Sequence, residues 1–181
     1  MRRVVTGHTK SGKSVFVSDG EPTRTVMVKD YPGPELIEVW ATDGIPTIPV
    51  DEGDPTIEMS SFVPGPGGTR FRIIQMPPKQ KLEHARGEGK DVAAGWQEFL
   101  TKIPGLGDAM EPEYPGMHTT DTVDYGIILS GEIWLELDDG VRVHLKPGDC
   151  IIQNGPRHRW RNLGSEPCTM AFVMVGAKRK K

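Results

Sequence analysis

The chain has 181 residues and a formal net charge of −3, which suits one domain with a long arm and gives nucleic acid no global positive field. Apolar residues make up 36%, enough for a modest core, while 22 Gly and 16 Pro argue for short strands between many turns and against a helical bundle. No apolar run approaches the roughly 18 residues of a membrane span, MRRVVTGHTK lacks the apolar stretch of a secretory signal, and Cys150 and Cys168 are read as buried free thiols of a soluble, cytoplasmic protein.

The first 68 residues hold short β-branched runs separated by turn clusters: Val4-Val5, Ser14–Val17, Arg24–Val28 and Leu36–Trp40. Residues 7–14, GHTKSGKS, match the phosphate-cradling pattern G-x-x-x-x-G-K-[ST]. That loop works by aiming the free amides of a following helix at phosphate. Here Val15-Phe16-Val17 and a turn follow, so Lys10–Lys13 is predicted to be a hairpin loop. PTIPVDEGDP and PGPGG then lead to a strand at Thr69–Met76, which Pro77-Pro78 ends because proline cannot continue a ladder.

Residues 79–115 differ in character. Asp91–Lys102 sets Val92, Trp96 and Phe99-Leu100 at helical spacing, with Asp91 as cap and Pro104-Gly105 as stop. This is one helical insertion between two strands, either a lid over a site or a cover for one end of the sheet. From 122 onward strands recur at short intervals. Ile133, Leu135 and Leu137 alternate up to a tight turn at Asp139-Gly140, and Val141, Val143 and Leu145 alternate on the return. No crossover helix fits between these strands, so the fold class is all-β, an antiparallel sandwich or barrel. Residues 1–68 are expected to pack on a barrel of 69–176, with a basic tail at 177–181, most simply a solvated end.

His118, Asp124, Gly131, Gly148 and His158 together resemble the motifs of the cupin superfamily. The first runs G-x5-H-x-H-x3/4-E-x6-G: His118 stands at its first histidine, Thr120 at the second, Asp124 for the glutamate, and Gly131 closes it. The second runs G-x5-P-x-G-x2-H-x3-N. Gly148, Gly155, His158 and Asn162 follow it with one residue fewer after Gly148 and Gln153 in place of the proline. The resemblance implies a small antiparallel β-barrel or jelly roll with a metal inside. His118, Thr120 and Asp124 share strand parity, and His158 comes from another strand. Two imidazoles and a carboxylate form the set that leaves positions on a divalent metal such as Fe(II) open for substrate and oxygen.

Thr120 is a poor ligand and Asp124 has a shorter arm than glutamate, so a metal-free pocket is the other reading. Asp121 and Gln153 are candidate substitutes for the missing ligand. Trp160 shares parity with His158 and is expected to line the pocket or the core. His144 is expected to face solvent, Tyr125 and Trp134 to pack between sheets, and Arg157, Arg159 and Arg161 to form an exposed basic stripe.

RRVVTGHTKSGKSVFVSDG, HTTDTVDYGIILSGEIWLELDDG and WRNLGSEPCTMAFVMVGA are similar to single-domain cupins of bacteria and of fungal polyketide clusters. Some of these are described as cupin-domain oxidoreductases of salicylaldehyde-type pathways. The resemblance implies an oxidoreductase acting on a polyketide-derived aldehyde, alcohol or ring, with His118, Asp124 and His158 as metal and catalytic residues, and a homodimer. Without a metal, His158 or Asp124 becomes a general base, and the chain an isomerase, dehydratase or cyclase. A non-catalytic small-molecule binding protein is the alternative of a different class.

Overall fold

Alternating apolar residues organise the chain into eleven strands and three helices in the computed structural model, which describes residues 1–50 and 52–180. Strands β1 (Arg3–His8) and β2 (Ser14–Gly20) form a separate antiparallel hairpin. The Thr9 amide donates to the Lys13 carbonyl at 2.9 Å to close its loop. GHTKSGKS is therefore a turn, with no helix behind it to receive phosphate.

Six strands make the larger sheet: β3 (Arg24–Val26), β4 (Glu35–Thr42), β5 (Thr69–Met76), β6 (Thr122–Ser130), β9 (Cys150–Asn154) and β11 (Cys168–Gly176). Their order is β3-β4-β5-β11-β6-β9, antiparallel throughout. A smaller sheet, β10-β7-β8, is built from β7 (Ile133–Glu136), β8 (Arg142–Leu145) and β10 (Arg159–Arg161). The division after residue 68 marks no break in the sheet, because β4 pairs with β5 from Glu35↔Gln75 to Thr42↔Thr69. The β7–β8 tip is a short 3₁₀ turn at Asp138–Gly140, one residue longer than the predicted turn, with Asp139 and Gly140 both left-handed at φ 57° and 72°.

Two apolar clusters hold the molecule together. One, between the sheets, joins Ile128, Ile133, Leu145, Ile151, Met170 and Phe172. The other, at the N-terminal end, joins Val26, Leu36, Phe62, Phe99, Ile103 and Leu106. Ile74 of β5 packs against both. Phe99 comes from helix α3 (Val92–Thr101), which starts where Asp91 Oδ1 accepts from the Ala94 amide at 2.9 Å. This is the predicted helix. The insertion holds a second one, α2 (Lys79–Gly87), and a one-turn helix α1 (Pro55–Glu58) precedes β5. KQKLEHARG buries only Ala85, so it offered no apolar periodicity from which to predict α2. No helix among the described residues is long and apolar enough to cross a membrane.

Three expected placements are corrected by strand parity. Cys150 is exposed, because Ile151 and Gln153 are the inward residues of β9; Cys168 is buried as expected. Tyr125 is 53% exposed, since its neighbour Asp124 takes the inward face. Trp134 stacks on the His144 ring, centroids 4.1 Å apart and 4° from parallel, on the outside of the smaller sheet, where His144 also meets Glu132.

Gly131, the residue that closes the first motif, links β6 to β7 at φ 70°, and a Cβ there would overlap the Pro167 carbonyl oxygen. Gly140 has a similar φ of 72° but open space around it. Gly140→Ala should therefore cost only the left-handed backbone, about 1 kcal/mol. Gly131→Ala should cost clearly more, because backbone must move as well. Urea denaturation midpoints of the two variants measure the difference.

Candidate active site

His118 lies just before β6 and His158 just before β10, yet they are direct cross-strand partners. Each donates its amide to the other's carbonyl at 2.9 Å, forming an isolated antiparallel bridge. Their ring centroids are 4.2 Å apart. His118 Nδ1 sits 3.0 Å from the Gly116 carbonyl and His158 Nδ1 3.1 Å from the Pro156 carbonyl. A carbonyl only accepts, so each Nδ1 carries the proton and each Nε2 presents a lone pair. The Gln153 amide nitrogen donates to His158 Nε2 at 2.8 Å. Gln153 in turn is the register partner of Asp124 across β6 and β9. Among the described residues, Gln153 Oε1 and Asp124 Oδ1 are buried without a hydrogen-bond partner.

These groups floor a cavity of about 440 Å³ between the larger sheet and the helical insertion. Its walls draw on both apolar clusters, with Leu36 and Phe99 from one and Phe172 and Trp160 from the other. Residues of α2 and α3, among them Leu82 and Trp96, form its cover. The insertion thus closes over the site as well as capping the sheet. Trp160 lines the cavity, with the Phe172 ring edge-on at 5.4 Å and the His158 ring at 6.1 Å.

Burial sets the protonation states. It pushes His158 down to about 3, with neighbouring His118 adding to the shift, and it lowers His118 as well. Both imidazoles are therefore neutral at pH 7. Burial pushes the Asp124 carboxyl up, against the opposing effects of the Thr122 hydroxyl and the Arg72 guanidinium. The floor thus combines neutral bases with a carboxyl that holds its proton more strongly than an exposed one.

Of the expected ligand set, the fold brings His118 and His158 together and puts Asp124 in the same cavity. Among the described residues, however, no three His, Cys, Asp or Glu side chains are grouped to hold a metal ion. His158 Nε2 is already engaged by Gln153. As arranged, the residues do not fit the three-ligand divalent centre. Thr120 keeps inward parity but stays out of the cavity wall, because its hydroxyl bonds that of Thr122 at 2.8 Å. Asp121 points the other way and pairs with Arg179 at 2.5 Å, so it is no substitute ligand. The basic stripe is not free either. Arg157 pairs with Glu111 at 2.6 Å and with Asp138 at 2.8 Å, while Arg159 and Arg161 converge on buried Glu136.

One cavity residue went unrecognised. Arg72, 1% exposed, projects from β5 beside Asp124, its Nε 2.9 Å from Glu38 Oε1. The signal was present in TRFRIIQM, where Arg70 and Arg72 share parity with inward Ile74. Two arginines on the core face of a strand are rare enough to mark a built feature.

A cupin-domain profile matches residues 108–175, the stretch that carries His118, Asp124 and His158. The phomopsin biosynthesis cluster protein C' of Diaporthe leptostromiformis is 31% identical over 97% of this chain and 78% of its own length. The cupin-domain-containing oxidoreductase srdB of Neurospora crassa is 25% identical over 97% of this chain and 74% of its own. Among solved structures, a sugar phosphate isomerase of the cupin superfamily from Silicibacter pomeroyi is similar at 11% identity and a TM-score of 0.42, over 84% of this chain and 70% of that one. An alignment that runs from the first hairpin through β11, with the cupin profile falling on the histidine bridge, makes this chain a member of the cupin-domain family.

Proposed function

We propose that this protein is an enzyme of secondary metabolism that acts on a small, largely apolar carbonyl compound or alcohol, held beneath α2 and α3 with its functional end toward the histidine pair. The observation that carries this reading is the cavity itself: apolar walls ending on one cluster of buried polar groups, among them the uncommitted lone pair of His118 Nε2. Relatives described as cupin-domain oxidoreductases support a redox outcome, and a polyketide-derived aldehyde, alcohol or ring is the substrate class that the sequence resemblance implies. In an oxidation of this kind an alcohol gives up its hydroxyl proton to a base and its carbinol hydrogen with two electrons to an external acceptor such as oxygen, and in an enolisation a ketone gives up an α-proton. His118 Nε2, with its lone pair uncommitted, is the base in either case. Gln153 holds His158 in one orientation, and in the enolisation Asp124 gives a proton to the carbonyl oxygen.

A second reading, a non-oxidative isomerase, dehydratase or cyclase, is favoured by one observation: among the described residues no three-ligand group forms, and Gln153 occupies His158 Nε2. The two separate by experiment. Incubation with 2-hydroxybenzaldehyde and 2-hydroxybenzyl alcohol, with and without Fe(II) and oxygen, is followed by oxygen uptake and product mass. Loss or gain of two hydrogens supports the oxidoreductase. Deuterium uptake from heavy water without a redox change supports the second reading, and saturable quenching of Trp96 and Trp160 fluorescence with no product identifies a binding protein. In either enzyme His118→Gln should lower turnover about 10²- to 10⁴-fold while ligand quenching persists.

The histidine pair also predicts acid lability. With a folded value near 3 against an ordinary 6.5, His158 binds fewer protons folded than unfolded across that interval. Its contribution to stability is complete above 6.5 and is lost as the pH falls toward 3. Lowered His118 acts in the same sense, and raised Asp124 opposes them. The thermal midpoint of the wild type should fall through this window, and His158→Gln should flatten the dependence.

A further inference from the structure

Arg72 lies at the centre of β5, paired in register with Glu38 on one side and Phe172 on the other. A guanidinium this deeply buried requires partners for its charge and its five N–H donors. Glu38, 0% exposed, sets Oε1 2.9 Å from Nε as an ion pair without a hydrogen bond, its Oε2 accepts from Nη2 at 3.4 Å, and Nη2 also donates to the Phe62 carbonyl. Among the described residues Nε and Nη1 of this charged group thus make no hydrogen bond, and the residue borders a space whose walls are mostly apolar. Left dry and unpaired they are costly, while an acceptor brought by a ligand relieves that cost.

The surroundings select the kind of acceptor. Glu38 is shared with Arg24 and Arg70, although Arg70 also pairs with Asp43 at 2.6 Å, and Asp124 is the other carboxyl that bears on Arg72. The remaining polar groups on the floor, two neutral imidazoles and a carboxyl, carry no cation that would compete for the same oxygen. An electron-rich oxygen on a neutral molecule fits both the donors and the apolar walls.

We propose that Arg72 is the substrate-anchoring and specificity-determining residue of the cavity: Nη1 binds the carbonyl oxygen of a neutral aldehyde or ketone and so turns the neighbouring carbon toward the His118–His158 pair. This rests on the cavity being the substrate site, and it adds which atom of the substrate is read and by what.

The test compares acetophenone with ethylbenzene, matched in shape and differing by the carbonyl oxygen, by calorimetric titration. Wild-type protein should bind the ketone about tenfold or more tightly, the worth of a hydrogen bond from a charged donor. The double variant Arg72→Met/Glu38→Leu removes both charges together, so neither is stranded. It should keep ethylbenzene binding and lose the ketone advantage. Equal binding by the wild type, or an undiminished advantage in the double variant, overturns the role of Arg72 while leaving the cavity as the site. Binding of neither ligand to the wild type overturns the cavity reading itself, and Arg72 with it. Should the double variant fail to fold, Arg72→Lys keeps a cation for Glu38 but withdraws Nη1. A full ketone advantage in that variant also overturns the proposal.

Discussion

The site depends on the register of the larger sheet. Across it, Glu38, Arg72, Phe172, Gly126 and Ile151 form one inward row, from β4 through β5, β11 and β6 to β9. The next row sets Arg70, Met174, Asp124 and Gln153 side by side. A slip of one residue in any of these strands would turn its whole contribution to the outside. Gly126 is what lets the first row close, because a Cβ there would overlap the Phe172 ring. In β4 the register shifts between Glu38 and Trp40, so that Glu38 and Ala41 both turn inward.

Those rows bury charge, and burial decides the chemistry. Arg72 is tolerated inside because Glu38 stands directly across the ladder and the Phe62 carbonyl and ring lie against it. The same water-poor setting keeps His118 and His158 neutral and holds the proton on Asp124 more firmly. Glu136 makes the contrast: buried but ringed by Arg142, Arg159 and Arg161, it is held below the usual carboxylate range and is structural.

The cavity lies where two cores meet. The cluster between the sheets is what a small barrel alone would have. The second cluster, built from β3, β4, Phe62 and α3, extends the apolar wall beyond it. Residues 79–115 are therefore more than an excursion between β5 and β6. Phe99 and Ile103 anchor them in the second core, while Leu82 and Trp96 cover the site. Cover and core thus share one helix, α3.

Much of this was legible in the residues themselves. Alternation fixed the strands from 122 onward, and the Asp91 cap with Val92, Trp96 and Phe99 fixed α3, because both signals are periodic and local. The polar stretch of α2 carried no such signal, and Cys150 and Tyr125 were misplaced because apolar character does not say which face of a strand is inward. The motif positions brought His118, Asp124 and His158 to one cavity, as their spacing and parity imply. What only the tertiary structure decided is which atoms meet there: Gln153 on His158, Thr122 on Thr120, Arg72 beside Asp124. The physical reason is range. Periodicity is written within one strand, whereas a hydrogen bond between side chains is set by the register of strands far apart in the chain, and no single strand carries that information.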